Sequence, residues 1–157
     1  ALFVTLRFKL IPMSRTSKIK KFHLSESDDD IPVLIGIVSS EPDYRLSLKL
    51  NLRLGIGLKS IGPVEFADET GVEFRFSRFS DSPTHPASGL QMVCNRSLKN
   101  FLLPKLKNID FLILIPGSTD KPILEKLMAD LRETDSITGV FNIDPKALKD
   151  KNLKYLF

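Results

Sequence analysis

Residues 109–131 constrain this chain more than any other stretch. Ile109-Asp110-Phe111-Leu112-Ile113-Leu114-Ile115 is nearly all apolar and is closed by Pro116-Gly117. A strand with no polar alternation must be covered on both faces. Soon after it, Leu124, Leu127, Met128 and Leu131 fall at i, i+3, i+4 and i+7, one stripe of an amphipathic helix. A strand of this kind needs neighbours on both sides and a helix layer above it, and the remaining residues must supply them.

The chain is long enough to do so. Its 157 residues suit one domain that folds without disulfide or metal. Cys94 is the only cysteine, so there is no intramolecular disulfide and no cysteine-rich zinc site. That favours a reducing, cytoplasmic setting. The net charge is +4, and Arg7 and Lys9 supply half of it within the first 12 residues. Residues 13–157 carry 21 basic and 19 acidic side chains, which makes charge alone a weak case for nucleic acid.

Residues 1–12 are too short and too charged to span a membrane and lack the order of a signal peptide. Met13 is taken as the true start, with residues 1–12 lying upstream of it. Residues 1–30 read as a flexible leader. It holds a basic cluster (Arg15, Lys18, Lys20, Lys21), an acidic one (Glu26, Asp28, Asp29, Asp30), and Ile19, Phe22 and Leu24 as a short edge strand. The acidic cluster lacks the spacing of a calcium loop. Residues 31–157 then form the single domain.

Residues 31–38 are a second strand apolar on both faces. From Tyr44 to Leu58 the apolar residues strictly alternate, which argues for a strand. Against it, they are mostly leucine, the run is too long for a strand, and Leu46, Leu50 and Leu54 make an i, i+4, i+8 row. A helix over 42–54 is therefore expected, opened by a Ser40/Asp43 capping box and ended at Gly55 or Gly57. Further strands fall at 64–67, 73–79, 90–95 and 137–143, and Asp144-Pro145 starts a short last helix. The order β-α-β-β-β-β-α-β-α predicts an α+β two-layer sandwich. Its mixed, mostly antiparallel sheet has about six strands, with two main helices packed on one face.

Several short segments recur in a known order: Leu34-Ile35-Gly36-Ile37, Asp43-Tyr44-Arg45-Leu46 with Asn51, Asn95-Arg96-Ser97, Leu103-Pro104-Lys105 followed by Ile109-Asp110-Phe111, and Phe141-Asn142-Ile143-Asp144-Pro145 with the ending Leu156-Phe157. On these segments residues 31–157 resemble the bacterial IPExxVDY family of small proteins. Lys105 stands where the family name has Glu, Phe111 where it has Tyr, and the spacing is one residue longer. The resemblance implies a family without an assigned reaction, and any chemistry resting on that Glu would be missing here.

Motifs for phosphate, dinucleotide, hydrolase and metalloprotease chemistry are all missing. His23 and His85 have no nucleophile or carboxylate near them in sequence. Cys94, in an apolar strand, reads as an inert core thiol. The most informative polar residues are Asp43, Arg45, Asn95 and Arg96, a candidate binding set in which Arg96 could bridge to Asp43 or Asp110. Phe74, Phe76 and Phe79 near Arg75 and Arg78 raise an RNA-binding sheet, although no RNP pattern is present and core packing under the helix layer is the simpler reading. Arg75, Arg78, Lys99, Lys105 and Lys107 would be its basic surface. The expected function is a non-enzymatic interaction or regulatory module with a protein partner, either another protein or a second copy, and with no cofactor, metal or membrane. RNA binding is the alternative, and an enzyme built on Asp43, Arg45 and Arg96 is a second one.

Overall fold

A computed structural model describes residues 31–157. Expectations about the leader, including Met13, the Ile19 edge strand and His23, lie outside the described residues. Six strands form one sheet: β1 (Val33–Ser39), β2 (Lys59–Ala67), β3 (Glu73–Ser80), β4 (Gln91–Cys94), and the two strands around the second long helix. A two-residue hairpin pair, β5 (Arg96–Ser97) and β6 (Asn100–Phe101), precedes β7 (Phe111–Ile115), and β8 (Ile137–Ile143) is last. Helix α1 (Asp43–Leu54) follows β1, α2 (Lys121–Glu133) joins β7 to β8, and α3 (Pro145–Leu148) opens the C-terminal tail.

The sheet order is β2-β3-β4-β7-β1-β8, and every neighbouring pair is antiparallel. The crossover through α2 leaves a one-strand gap between β7 and β8, and β1 fills it in the opposite direction. The expected parallel component is therefore present only between strands that do not touch. This position explains the unbroken apolar runs. All five residues of β7 are buried, and Leu34, Ile35 and Ile37 of β1 are fully enclosed.

Both helices lie on one face. Leu46, Leu50 and Leu54 of α1, with Leu127, Met128 and Leu131 of α2, pack on Ile35, Ile37, Met92, Ile113 and Ile115. The opposite face is also covered. Leu34, Phe76, Val93 and Leu112 lie under Leu102, Leu103 and the tail residues Leu148, Leu153 and Leu156. Tyr155 stacks on Phe66 at 4.0 Å with the rings 6° apart. Phe76 thus belongs to the tail layer, whereas Phe79 belongs to the helix layer, because an odd step along a strand changes faces.

The alternating segment is a helix. Residues two apart on a helix point to nearly opposite sides, so alternation yields two stripes. Leu46, Leu50 and Leu54 face the sheet, and Tyr44, Leu48 and Leu52 face outward at 56%, 58% and 88% exposure. Gly55, in the left-handed region at φ 68°, ends the helix with its N–H on the Asn51 carbonyl. The expected capping box does not form. Pro42 is the N-cap, which makes Asp43 the first helical residue, and its Oδ1 accepts from the N–H of Tyr44 at 2.7 Å. Truncating Leu50 to alanine should cost about 2–5 kcal/mol in urea unfolding, while Leu52→Ala should change stability by less than about 0.5 kcal/mol. Equal losses would contradict the two-stripe arrangement.

On the flank of the outer stripe, Lys49 pairs with Glu41 and with Asp135 at 3.4 Å, and Arg53 pairs with Glu133 and with Asp130 at 3.9 Å. These contacts tie α1 to the end of α2. No described helix is long and apolar enough to cross a membrane.

Candidate functional site

The end of β1, the start of α1, the end of β4 and the start of β7 meet around a cleft of about 670 Å³. Its walls carry Ser39, Asp43, Ser77, Cys94, Arg96 and Asp110. The sheet order dictates this meeting: β1 and β4 flank β7, so their ends stand beside Asp110.

Asp110 is the hinge of the arrangement. Its N–H donates to the Ile37 carbonyl and its own carbonyl accepts from the Asn95 N–H, both at 2.9 Å. Oδ2 accepts from the Ser39 N–H and Oδ1 pairs with Arg96 Nη2, each at 3.0 Å. Arg96 also lies 5.1 Å from the centre of the Phe101 ring. Of the two carboxylates foreseen for Arg96, Asp110 is the one used. The pair is half exposed on the arginine side, so its strength is that of a screened surface contact with good geometry.

Asp43 enters the same cleft, and its Oδ2 lies 3.9 Å from Cys94 Sγ, which donates weakly to it. Burial pushes the Cys94 thiol up to about 12, and the negative charge of Asp43 adds to this, while a hydrogen bond from Ser77 works the other way. At neutral pH Cys94 is therefore a protonated thiol and a poor nucleophile. At pH 8 a thiol reagent should leave the folded protein essentially unlabelled by intact-mass analysis and modify Cys94 fully in denaturant. Rapid labelling of the folded chain would contradict this environment.

The structure separates the four residues expected to bind together. Asp43 and Arg96 share the cleft. Arg45 points outward from α1 toward Glu41, 3.8 Å away, because two residues along a helix turn about 200° from Asp43. Asn95 is fully buried and bonds only inward. Its Nδ2 donates to the carbonyls of Leu106 and Ile109 at 2.9 Å, and its Oδ1 accepts from the Leu103 N–H at 2.8 Å. It shapes the loop that carries Asp110. Sequence reasoning missed Ser39, whose backbone N–H completes the Asp110 contacts. Nothing in a serine after an apolar strand signals that.

The cleft holds Glu41, Asp43 and Asp110, but Lys49 pairs with Glu41 and Arg96 with Asp110, which leaves Asp43 as its carboxylate without a cation in contact. The thiol that faces the cleft, Cys94, lies beside the Asp43 carboxylate but is held protonated. His85 sits in an exposed loop beside Thr84. Among the described residues no group of three His, Cys, Asp or Glu could hold a metal ion.

The basic residues are dispersed. Arg75 pairs with Glu65 at 3.0 Å, and Arg78 Nε donates to the Gly62 carbonyl at 2.9 Å. Lys105 donates to the Lys149 carbonyl at 2.9 Å and to the Leu148 carbonyl, closing the end of α3. Lys107 is exposed. Lys99 lines a second cleft of about 740 Å³ with Lys151, Lys154, Phe74, Phe101 and Tyr155. No protein-family model, no curated protein and no solved structure matches this chain.

Proposed function

We propose that this chain is a non-enzymatic cytoplasmic interaction module whose contact surface is the outward side of α1. The observation that carries the proposal is the second apolar stripe, Tyr44, Leu48 and Leu52. These side chains add nothing to the core and expose a contiguous apolar ridge, a feature of binding surfaces. Burying the two leucines against a partner is worth about 3 kcal/mol or more. Arg45, Lys49 and Arg53 border the ridge on one side, and the Arg45 pairing is loose and half exposed. The fitting partner is an amphipathic helix with an apolar seam flanked by Asp or Glu. The polar cleft agrees with a non-catalytic role: Arg96 and Asp110 engage each other, and Cys94 stays protonated. Membership of the bacterial IPExxVDY family is part of the same proposal. It is supported by the way Asn95, Arg96, Leu103 and Asp110, from two of the shared segments, interlock at one point.

The test is a Leu48→Asp/Leu52→Asp variant. It should fold with unchanged thermal stability and lose a partner that wild type retains through purification from its source. Retention by the variant would refute the proposal.

A second proposal, RNA binding, is favoured by one observation: Lys99, Lys151 and Lys154 line the second cleft together with aromatic side chains, against Asp68 and Glu69. Phe66 and Tyr155 already stack on each other, which leaves fewer ring faces for bases. Single-stranded RNA should then bind with an affinity that falls steeply with salt and is lost in Lys99→Glu/Lys151→Glu. No binding at low salt would dispose of it.

A further inference from the structure

We propose that the free edge of β8 pairs antiparallel with β8 of a second copy, joining two six-stranded sheets across a two-fold axis. The two edges of the sheet are treated differently by the sequence. β2 carries Lys59 and Glu65, and its register shifts between Ile61 and Val64 around Gly62-Pro63. Proline lacks an N–H and the bulge twists the strand, both of which block edge-to-edge pairing. β8 has only a register shift at its start, where Val38 pairs with Gly139 and Ser39 with Ile137, leaving Thr138 over. Ile137–Ile143 contains no proline and no charged residue, and its pairing with β1 is regular from Gly139 to Ile143. Among the described residues its other edge has no strand partner.

The edge is also complementary to itself. A two-fold axis through Val140, inside the regular stretch, places Val140 opposite its own copy and Gly139 opposite Phe141 of the second copy. Phe141 is 48% exposed. Its ring already lies against its own Gly139, where an added Cβ would be 2.9 Å from Cε2. In the pair, each ring would cover the bare backbone of the opposite glycine, a known way to protect glycine in a strand. No like charges meet, because neither edge carries any. An isologous contact of this kind closes on itself as a dimer. It leaves the α1 ridge free, so it does not rest on the proposal for α1.

Sedimentation velocity of the full chain over a concentration series tests the inference. Wild type should show a monomer–dimer equilibrium. Phe141→Lys should raise the dimer Kd by at least about tenfold, since symmetry doubles each lost contact and sets the two lysines diagonally across the same face. Leu48→Asp should leave it unchanged. Amide exchange supplies a readout that does not depend on how the variant folds: in wild type, β8 amides facing away from β1 should gain protection as concentration rises. A protein monomeric at every concentration, a dimer broken by Leu48→Asp and not by Phe141→Lys, or β8 exchange independent of concentration would overturn it.

Discussion

Asn95→Ala should destabilise the protein by about 3–5 kcal/mol, since each buried partner left unpaired costs about 1–3 kcal/mol. The side chain is fully enclosed and uses all its local bonding. Alanine would strand the Leu103 N–H and the Ile109 carbonyl, and leave the Leu106 carbonyl with the Ile109 N–H alone. Water cannot readily replace the amide, because Leu102, Leu103 and Ile109 around it are buried apolar residues. Asn95→Asp should be at least as damaging, for it removes both donors and sets a carboxylate against two carbonyls. The loop from 103 to 109 delivers Asp110, so Arg96 should lose its fixed partner as well. Urea unfolding should show a lower midpoint with an unchanged slope. A loss below about 1 kcal/mol would mean that the Asn95 bonds are made equally well by solvent.

Phe76→Ala should cost about 3–5 kcal/mol, the range for a buried phenylalanine whose site cannot collapse. Phe76 is fully enclosed on the tail-covered face, with the Phe66 ring 6.0 Å away. Phe66 is in turn held by Tyr155. The tail therefore completes a core, and a cavity at Phe76 should loosen it. Thermal unfolding should drop for Phe76→Ala and fall less for Phe74→Ala, whose side chain is only partly buried. If the two variants lost equal stability, the tail layer would not be packed as described.

Much of this was legible in the residues. Strands apolar on both faces announced a sheet covered twice, and 31–38 and 109–115 occupy its centre as β1 and β7. Leucine content and the i, i+4, i+8 row correctly outweighed alternation in α1, and Gly55 marked its end. The order of strands was not legible, because β1 enters between β7 and β8 through contacts some 70–110 residues away in sequence. That distance also hid the role of Asn95. A polar residue in an apolar strand looks alike whether it binds a ligand or three backbone groups from a later loop. Arg45 could not be separated from Asp43 without knowing the helix start, which has Pro42 and not Ser40 at its N-cap. The lysine and arginine cluster dissolved for a similar reason: Arg75, Arg78 and Lys105 are engaged by groups that sequence proximity does not reveal.

The most direct measurement is photocrosslinking from position 48 on α1 in living cells, with Thr70, an exposed turn residue, as the control. A discrete adduct from position 48, absent from position 70 and lost on adding Leu52→Asp, is expected, with the crosslinked peptide an amphipathic segment bordered by Asp or Glu. No adduct above the control, or an adduct only with a second copy of this chain, would contradict α1 as the surface that docks a partner.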